Sequence, residues 1–130
     1  MTPYLLDTSV VIDYLRGKQQ VVELLNTIEG ELCSSYICLA EVYEGIYRVT
    51  NPAKIEEDVN KFFLSLSFVY GVDAKVAKKF GEIRAELKSK GEVIEDFDIM
   101  LAATCLVYNL TLITSNKKHF SHVANLQIYP

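Results

Sequence analysis

Short apolar segments alternate along this chain with longer segments whose apolar residues recur every three or four positions, and this alternation constrains the fold more than any other feature. The apolar segments predict strands at residues 4–6, 32–34, 68–70, 111–114 and 126–129. The intervening segments predict helices at 9–16, 21–28, 37–49, 52–66, 73–88 and 99–108, with a loop or short helix at 115–122. Helices between strands favour parallel pairing. We therefore expect an α/β fold with a central, mostly parallel sheet of four to five short strands flanked by helices.

Size and composition indicate one domain. The chain has 130 residues, half of them hydrophobic, so we expect a single domain over 1–130 with a sizeable core. Its net charge of −4 argues against a passive nucleic-acid coat, which would be strongly basic. A nuclease remains compatible with this charge, because an acidic metal pocket itself lowers the count.

Two further features bear on where the protein works. No apolar stretch approaches the roughly 18 residues of a membrane span, and the first residues lack the basic segment of a secretory signal, so we expect a cytoplasmic protein with no membrane partner. Cys33, Cys38 and Cys105 are odd in number, form no C-x-x-C pair and sit among apolar neighbours. We expect buried, reduced thiols and no zinc site.

Four polar residues fall where a parallel sheet of this kind places its chemistry. Asp7 ends the first predicted strand, and Asn116 follows the strand at residues 111–114. Glu41 lies on the helix after the second strand, and Asp98 precedes the helix that leads into the strand at 111–114. Since ligands bind outside the carboxyl ends of parallel strands, these four side chains are expected to meet there.

Carboxylates gathered in this way favour a bound cation. Two unit charges about 4 Å apart repel by about 4 kcal/mol at an effective dielectric near 20, so the cluster must raise a carboxylate pKa or bind a metal ion. Oxygen ligands suit Mg²⁺ or Mn²⁺. Such an ion can activate water and neutralise charge on a phosphodiester, which predicts metal-assisted phosphodiester hydrolysis.

Each residue taken alone also has a plain structural interpretation. Asp7 could be a turn or capping residue, Glu41 a solvated helix residue, and Asn116 a turn former. Asp96 is interpreted first as the N-cap of the following helix, and Asp98 could be a first-turn carboxylate stabilised by the helix dipole. Their proximity therefore remains an expectation for the structure to test.

Four segments in order resemble the PIN-domain family, and within it the VapC-like toxins of VapBC toxin–antitoxin pairs. They are residues 5–13 (LLDTSVVID), 39–45 (LAEVYEG), 98–106 (DIMLAATCL) and 112–120 (LITSNKKHF). The third matches the D-x-x-[IL]-A-A pattern closely, and together the segments span essentially the whole chain. Each is moderately specific alone, but four in order are strongly indicative.

The resemblance implies an Mg²⁺- or Mn²⁺-dependent endoribonuclease, the toxin component of a toxin–antitoxin pair. It implies Asp7, Glu41 and Asp98 as catalytic metal ligands, with Thr8 or Ser9 orienting Asp7 or a bound water. Asp96 would be an auxiliary acid at most. It further implies an RNA substrate, a cognate VapB-like antitoxin and a homodimer.

Two points qualify these implications. Asn116 stands where many PIN domains have a fourth aspartate, which weakens the case for a tightly bound second metal and leaves open a catalytically weak or inactive PIN-like binding module. RNA phosphates also need cations around the acidic pocket, and the candidates are Arg16, Arg48, Lys117, Lys118 and His119. The lysine-rich helix at 73–88 is interpreted as a solvated face.

Other acidic-pocket folds fit less well. A haloacid-dehalogenase-like phosphatase needs a second aspartate two residues after the first, where Ser9 stands. A response-regulator receiver needs an aspartate at the end of a middle strand, and residues 68–71 contain none.

Overall fold

The computed structural model describes residues 2–130 as a four-stranded, fully parallel sheet with helices on both faces. The strands run in the order β3-β2-β1-β4. The elements along the chain are β1 (Pro3–Leu6), α1 (Thr8–Leu15), α2 (Gln19–Thr27), β2 (Glu31–Ser35), α3 (Tyr36–Ile46), α4 (Pro52–Ser65), β3 (Phe68–Tyr70), α5 (Ala74–Ser89), α6 (Asp96–Tyr108), β4 (Thr111–Ile113) and α7 (Lys117–Phe120). The predicted α/β class and parallel sheet are confirmed.

The last predicted strand is reduced to a single contact. Leu112 bridges Ile128 in parallel, and two backbone hydrogen bonds join β4 to residues 127 and 129, but no strand forms at 126–129. β4 itself spans only three residues, so it offers a short edge for a neighbour. The sheet thus has four strands and one bridge.

Two helix starts differ from the sequence-based expectation. Asp7, rather than Thr8 or Ser9, is the N-cap residue of α1, because its carboxylate accepts from the Thr8 N–H. Helix α6 begins at Asp96, three residues earlier than the apolar pattern suggests, and its N-cap residue is Glu95. The first turn of α6 therefore carries both Asp96 and Asp98, which are favourable there because the helix dipole is positive at its start.

Apolar side chains pack on both faces of the sheet. One core joins α5 and α6 to the sheet through residues such as Leu5, Ile99 and Leu112. The other joins α1, α3 and α4 to it, with Leu6 and Val59 fully buried. Adjacent strand residues thus face opposite cores, as the two-residue period of a strand requires.

The strand order changes direction at β1. The chain proceeds outward from β1 to β2 and β3, then crosses back to place β4 on the other side of β1. Such a reversal opens a crevice at the carboxyl ends of the two strands that flank it. Asp7 follows β1 and Thr114 follows β4, so both lie at this crevice.

Two smaller findings complete the fold. The three cysteines are free and buried, as expected, and burial raises the pKa of Cys38 to about 12, which makes its thiol a poor nucleophile. Within residues 2–130, no helix combines the length and the apolar character needed to cross a bilayer.

Candidate active site

Asp7 is the most buried carboxylate at the crevice, with 6% of its surface exposed. Its Oδ1 accepts from the Thr8 N–H at 2.7 Å, and its Oδ2 accepts from the Thr114 hydroxyl at 2.7 Å. The Ser9 hydroxyl lies farther away, 3.4 Å from Oδ2. Because its own N–H donates to the Ile113 carbonyl at 2.9 Å, Asp7 is fixed between the ends of β1 and β4.

Glu41 reaches the same place from helix α3. The Thr8 hydroxyl donates to its Oε1 at 2.6 Å, so one residue binds Asp7 through its backbone and Glu41 through its side chain. Helix α3 starts immediately after β2, with the Ser35 hydroxyl capping it by accepting from the Ile37 N–H at 3.0 Å. This start directs Glu41, one and a half turns on, toward the crevice.

Asp98 completes the acidic group from the first turn of α6. Its side chain is 21% exposed, and its Oδ2 lies 3.0 Å from Nε2 of His119 on α7. His119 is itself only 28% exposed. The pair joins the start of α6 to α7, and both helices pack into the same core through Ile99 and Phe120.

Burial raises the pKa of two carboxyls at the crevice, and the neighbouring acids add to the rise. Burial raises the pKa of Glu41, and the charges of Asp7, Asp98 and Glu95 raise it further against the lowering effect of the Thr8 hydroxyl. Burial also raises the pKa of Asp98, with Asp7 and Glu95 adding to the rise and His119 opposing it. Glu41 and Asp98 both respond to Asp7, so these acids share one electrostatic site.

The donor chemistry fits a hard divalent cation. All three acids offer carboxylate oxygens, which Mg²⁺ and Mn²⁺ prefer, and their mutual repulsion is what a cation would relieve. As the side chains stand, no three His, Cys, Asp or Glu residues within 2–130 are grouped closely enough to enclose an ion. Their oxygens are held instead by the hydroxyls of Thr8 and Thr114 and by His119.

The remaining predicted residues lie at different places. Asn116 is exposed at the edge of the crevice, where its N–H donates to the Thr114 hydroxyl at 3.0 Å. Lys117 and Lys118 are exposed on α7, and the Lys117 ammonium contacts the Pro130 carbonyl. Asp96 forms an ion pair with Arg84 on α5, so the structure places this predicted auxiliary acid outside the acidic group.

Sequence reasoning missed two residues of the site, Glu95 and Thr114, and the contact that His119 makes with Asp98. Glu95 adds negative charge near Glu41 and Asp98, although it stands beside the more prominent Asp96. Thr114 binds Asp7, and His119 contacts Asp98. A signal for Thr114 was available, because it is the last residue of the predicted strand and faces the same edge as Asp7. The His119 contact depends on how α7 packs, and no local pattern indicates it.

One groove adjoins the acidic group, and a second groove lies beside the first. The first, about 490 Å³, is lined by Thr8, Arg16, Glu41, Arg48 and Phe97, which brings the predicted RNA contact Arg16 beside a predicted ligand. The second, about 270 Å³, lies between α1, α3 and α4 and is mainly apolar. Its lining includes Ile12, Leu15, Val42, Ile46, Val49 and Ile55.

Comparison with known proteins agrees with this geometry. A model of the PIN domain matches residues 4–126. The chain belongs to the PIN-domain family. Ribonuclease VapC2 of Haemophilus influenzae is 33% identical to this PIN domain, and the alignment covers 98% of this chain and 96% of that protein. The tRNA(fMet)-specific endonuclease VapC of Shigella flexneri is 31% identical over the same shares of the two chains.

A solved structure of a relative agrees as well. The crystal structure of DNA-bound VapBC from Salmonella typhimurium contains a chain that superposes with a TM-score of 0.90 and 28% identity, covering 99% of this PIN domain and 98% of that chain. The resemblance drawn from the four sequence segments is therefore confirmed, and so is its fold. Relatives named as VapC ribonucleases extend over nearly the whole chain, which confirms the predicted nuclease class.

Proposed function

We propose that the protein is a metal-dependent endoribonuclease and the toxin of a toxin–antitoxin pair, formed by a single domain over 1–130. The observation that carries this proposal is the gathering of Asp7, Glu41 and Asp98 at the carboxyl ends of β1 and β4. Burial and mutual charge raise the pKa of both Glu41 and Asp98 there. Protonation or a bound cation relieves the repulsion in such an assembly of like charges, and a divalent cation would relieve it with the carboxylates ionised.

Asp7, Glu41 and Asp98 would hold the ion, Mg²⁺ or Mn²⁺. When bound, it supplies an activated water and neutralises charge on the scissile phosphate. In the hydrolysis, a bond from the water oxygen to phosphorus would form while the bond from phosphorus to the leaving ribose oxygen breaks, and that ribose oxygen would take up a proton in place of the one that the water loses. One firmly held ion suffices for this proposal, since Asn116 brings no negative charge for a second.

The neighbouring side chains orient the ligands. Thr114 and Thr8 fix the two oxygens of Asp7, and Thr8 also fixes Glu41. The Ser9 hydroxyl lies 3.4 Å from Oδ2 of Asp7 and accepts from the Ser115 hydroxyl at 2.9 Å. From this position Ser9 would orient Asp7 or a bound water. Groups that orient ligands typically alter metal affinity or activity by about 10- to 100-fold when they are removed.

The RNA contacts surround the acids rather than join them. Arg16 lines the groove beside Glu41, while Lys117 and Lys118 follow Asn116 at the edge of the crevice. These three cations would bind phosphates on either side of the cut. The names of the relatives support RNA as the substrate, and one of them acts on a transfer RNA.

Two protein partners complete the proposal. The apolar groove between α1, α3 and α4 suits the apolar face of an antitoxin helix, and the solved VapBC complexes support such a partner. A homodimer would cover the edge of the sheet at β3. Tyr36, Phe68 and Val72 are 58%, 56% and 47% exposed, and unpaired edges of this kind are commonly covered.

The test is cleavage of total cellular RNA by the purified protein with Mg²⁺ or Mn²⁺. We expect cleavage that EDTA abolishes and that Asp98→Asn abolishes in the presence of metal. Cleavage that persists in EDTA would contradict metal dependence. Absence of both cleavage and divalent-ion binding would favour the alternative of an inactive PIN-like binding module. Asn116 leaves this alternative open because it replaces the fourth aspartate of many PIN domains.

A further inference from the structure

Phe97 is an exposed aromatic side chain beside the acidic group. It stands between Asp96 and Asp98 in the first turn of α6, with 46% of its surface exposed, and it belongs to neither core. Its ring lines the groove that also contains Thr8, Arg16 and Glu41. The fold itself gains little from this placement, because burying an apolar ring would stabilise it more.

The charges around this ring are unevenly paired. Arg48 is held by Glu44, its neighbour one turn earlier on α3. Arg16, in contrast, forms no ion pair with any other part of the chain between residues 2 and 130. One free guanidinium and one aromatic ring therefore line the same groove as Glu41.

We propose that Phe97 binds an unpaired nucleobase of single-stranded RNA next to the cut phosphate, with Arg16 binding a phosphate of the same strand. This inference rests on the proposed nuclease function and adds a base-binding residue to it. Aromatic side chains stack on single-stranded bases of any sequence, and basic groups follow the backbone. The groove offers one of each, in reach of the acids that would act on the connecting phosphodiester.

The groove suits a single strand better than a duplex or a protein helix. Bases within an RNA duplex are already stacked on each other, and proteins read them by stacking where they are unpaired. A protein helix needs a continuous apolar face, which the neighbouring groove between α1, α3 and α4 provides. The groove at Phe97 instead has one ring among charged side chains, which is complementary to a base flanked by phosphates.

The experiment measures binding apart from catalysis. A fluorescein-labelled single-stranded oligoadenylate is titrated with protein in EDTA, and its anisotropy is recorded, together with that of the same strand paired to oligouridylate. We expect Phe97→Ala to weaken single-strand binding by about 5- to 100-fold, as expected for the loss of one stacked base. Phe97→Trp should restore it, and duplex binding should change less than about twofold, since its bases stack on each other.

Two control variants separate stacking from other effects. Leu64→Ala removes a largely exposed apolar side chain near the end of α4, outside both grooves, and should leave both affinities unchanged. Arg16→Gln should weaken single-strand and duplex binding alike, because a phosphate contact does not depend on the base. Circular dichroism would confirm that the Phe97 and Leu64 variants are folded.

Several results would overturn the proposal. They are unchanged single-strand affinity in Phe97→Ala, an equal loss for single strand and duplex, and no saturable binding by the wild-type protein. Unchanged RNA affinity with weakened antitoxin binding would assign the ring to a protein partner. If RNA binding depends on Phe97 but no metal-dependent cleavage occurs, the nuclease function is refuted and base binding by Phe97 stands. If cleavage occurs and Phe97→Ala has no effect on RNA binding, base binding by Phe97 is refuted and the nuclease function stands.

Discussion

The acids at the crevice and the acids on the outer surface of α5 and α6 differ in burial and in the charge of their neighbours. At the crevice, Asp7, Glu41 and Asp98 are buried or half-buried and lie near one another. On the outer surface each acid has a basic partner, as in the pairs Arg84–Asp96, Lys79–Glu82 and Lys90–Glu86. The three outer acids are more than half exposed.

Helix α6 carries one acid of each kind within three residues. Asp96 and Asp98 are two positions apart, so they point to nearly opposite sides of the helix. Asp96 meets Arg84 on α5, and Asp98 meets His119 and the other acids. This difference shows how to tell the two groups of acids apart. Acids held together despite their repulsion indicate a functional site, whereas acids paired with basic residues in solvent belong to the ordinary protein surface.

The largest expected effect is on Asp98. Asp98→Asn should lower metal-dependent RNA cleavage by about 100-fold or more. Removing a group that only orients a metal ligand lowers activity by roughly 10- to 100-fold, and removing the ligand itself should lower it further. Its thermal stability without metal should not fall, since the change also removes repulsion from Asp7 and Glu95. Cleavage assays and thermal denaturation in EDTA check both parts. A variant that unfolds, or one that cuts normally, would break the comparison.

Thr114→Val is expected to have the next largest effect. Valine keeps the shape of this buried residue but removes the hydroxyl that donates to Asp7 and accepts from the Asn116 N–H. Removing a hydrogen bond to a charged group costs about 1.5–3 kcal/mol, and cleavage should fall with stability. Thr111→Val, a half-buried position at the other end of β4, is the matched control for urea denaturation. Equal losses in the two variants would show that Asp7 does not depend on Thr114.

A smaller effect should appear in the pH dependence of stability. Because Glu41 and Asp98 have raised pKa values in the folded state, the unfolded chain releases these protons first. Their contribution to stability therefore falls as the pH rises from about 4 through the raised folded values. In EDTA, the melting-temperature difference of Glu41→Gln minus wild type should grow more positive across that window. A melting-temperature difference that stays constant with pH would show that folding does not raise the pKa of Glu41.

The smallest expected effect belongs to Asp96. Asp96→Asn removes the partner of Arg84 from an exposed ion pair, and such pairs contribute about 0–1 kcal/mol. Cleavage should stay within about twofold of wild type, because Asp96 faces away from the acids that would hold the ion. Parallel cleavage and denaturation measurements check this. Loss of activity comparable to that of Asp98→Asn would restore Asp96 as an auxiliary acid.

The fold was largely predictable because its signals are local. Short apolar segments and helical spacing identify the four strands and the major helices without any knowledge of pairing. The failures lie where tertiary contacts decide. Residues 126–129 have the pattern of a strand but make one bridge, and α6 begins at Asp96 because polar residues can form a first turn that no apolar pattern reveals.

The site was predictable to a lesser degree. The ends of predicted parallel strands point to Asp7, and the resemblance to PIN domains points to Glu41 and Asp98. Contacts between distant residues could not be predicted. The hydrogen bond from Thr114 to Asp7 joins residues 107 positions apart, and the contact of His119 with Asp98 depends on the packing of α7. The D-x-x-[IL]-A-A pattern singles out Asp98 over Asp96, but no local pattern indicates that Asp96 binds Arg84.

The most direct test of the central claim is calorimetric titration of Mn²⁺ into the wild-type protein, Asp98→Asn and Asp96→Asn. The two variants make the same chemical change two positions apart on one helix, so they differ only in the side of α6 that they alter. We predict saturable binding by wild type and Asp96→Asn and its loss in Asp98→Asn. Equal binding by all three proteins, or no binding by any of them, would contradict the account.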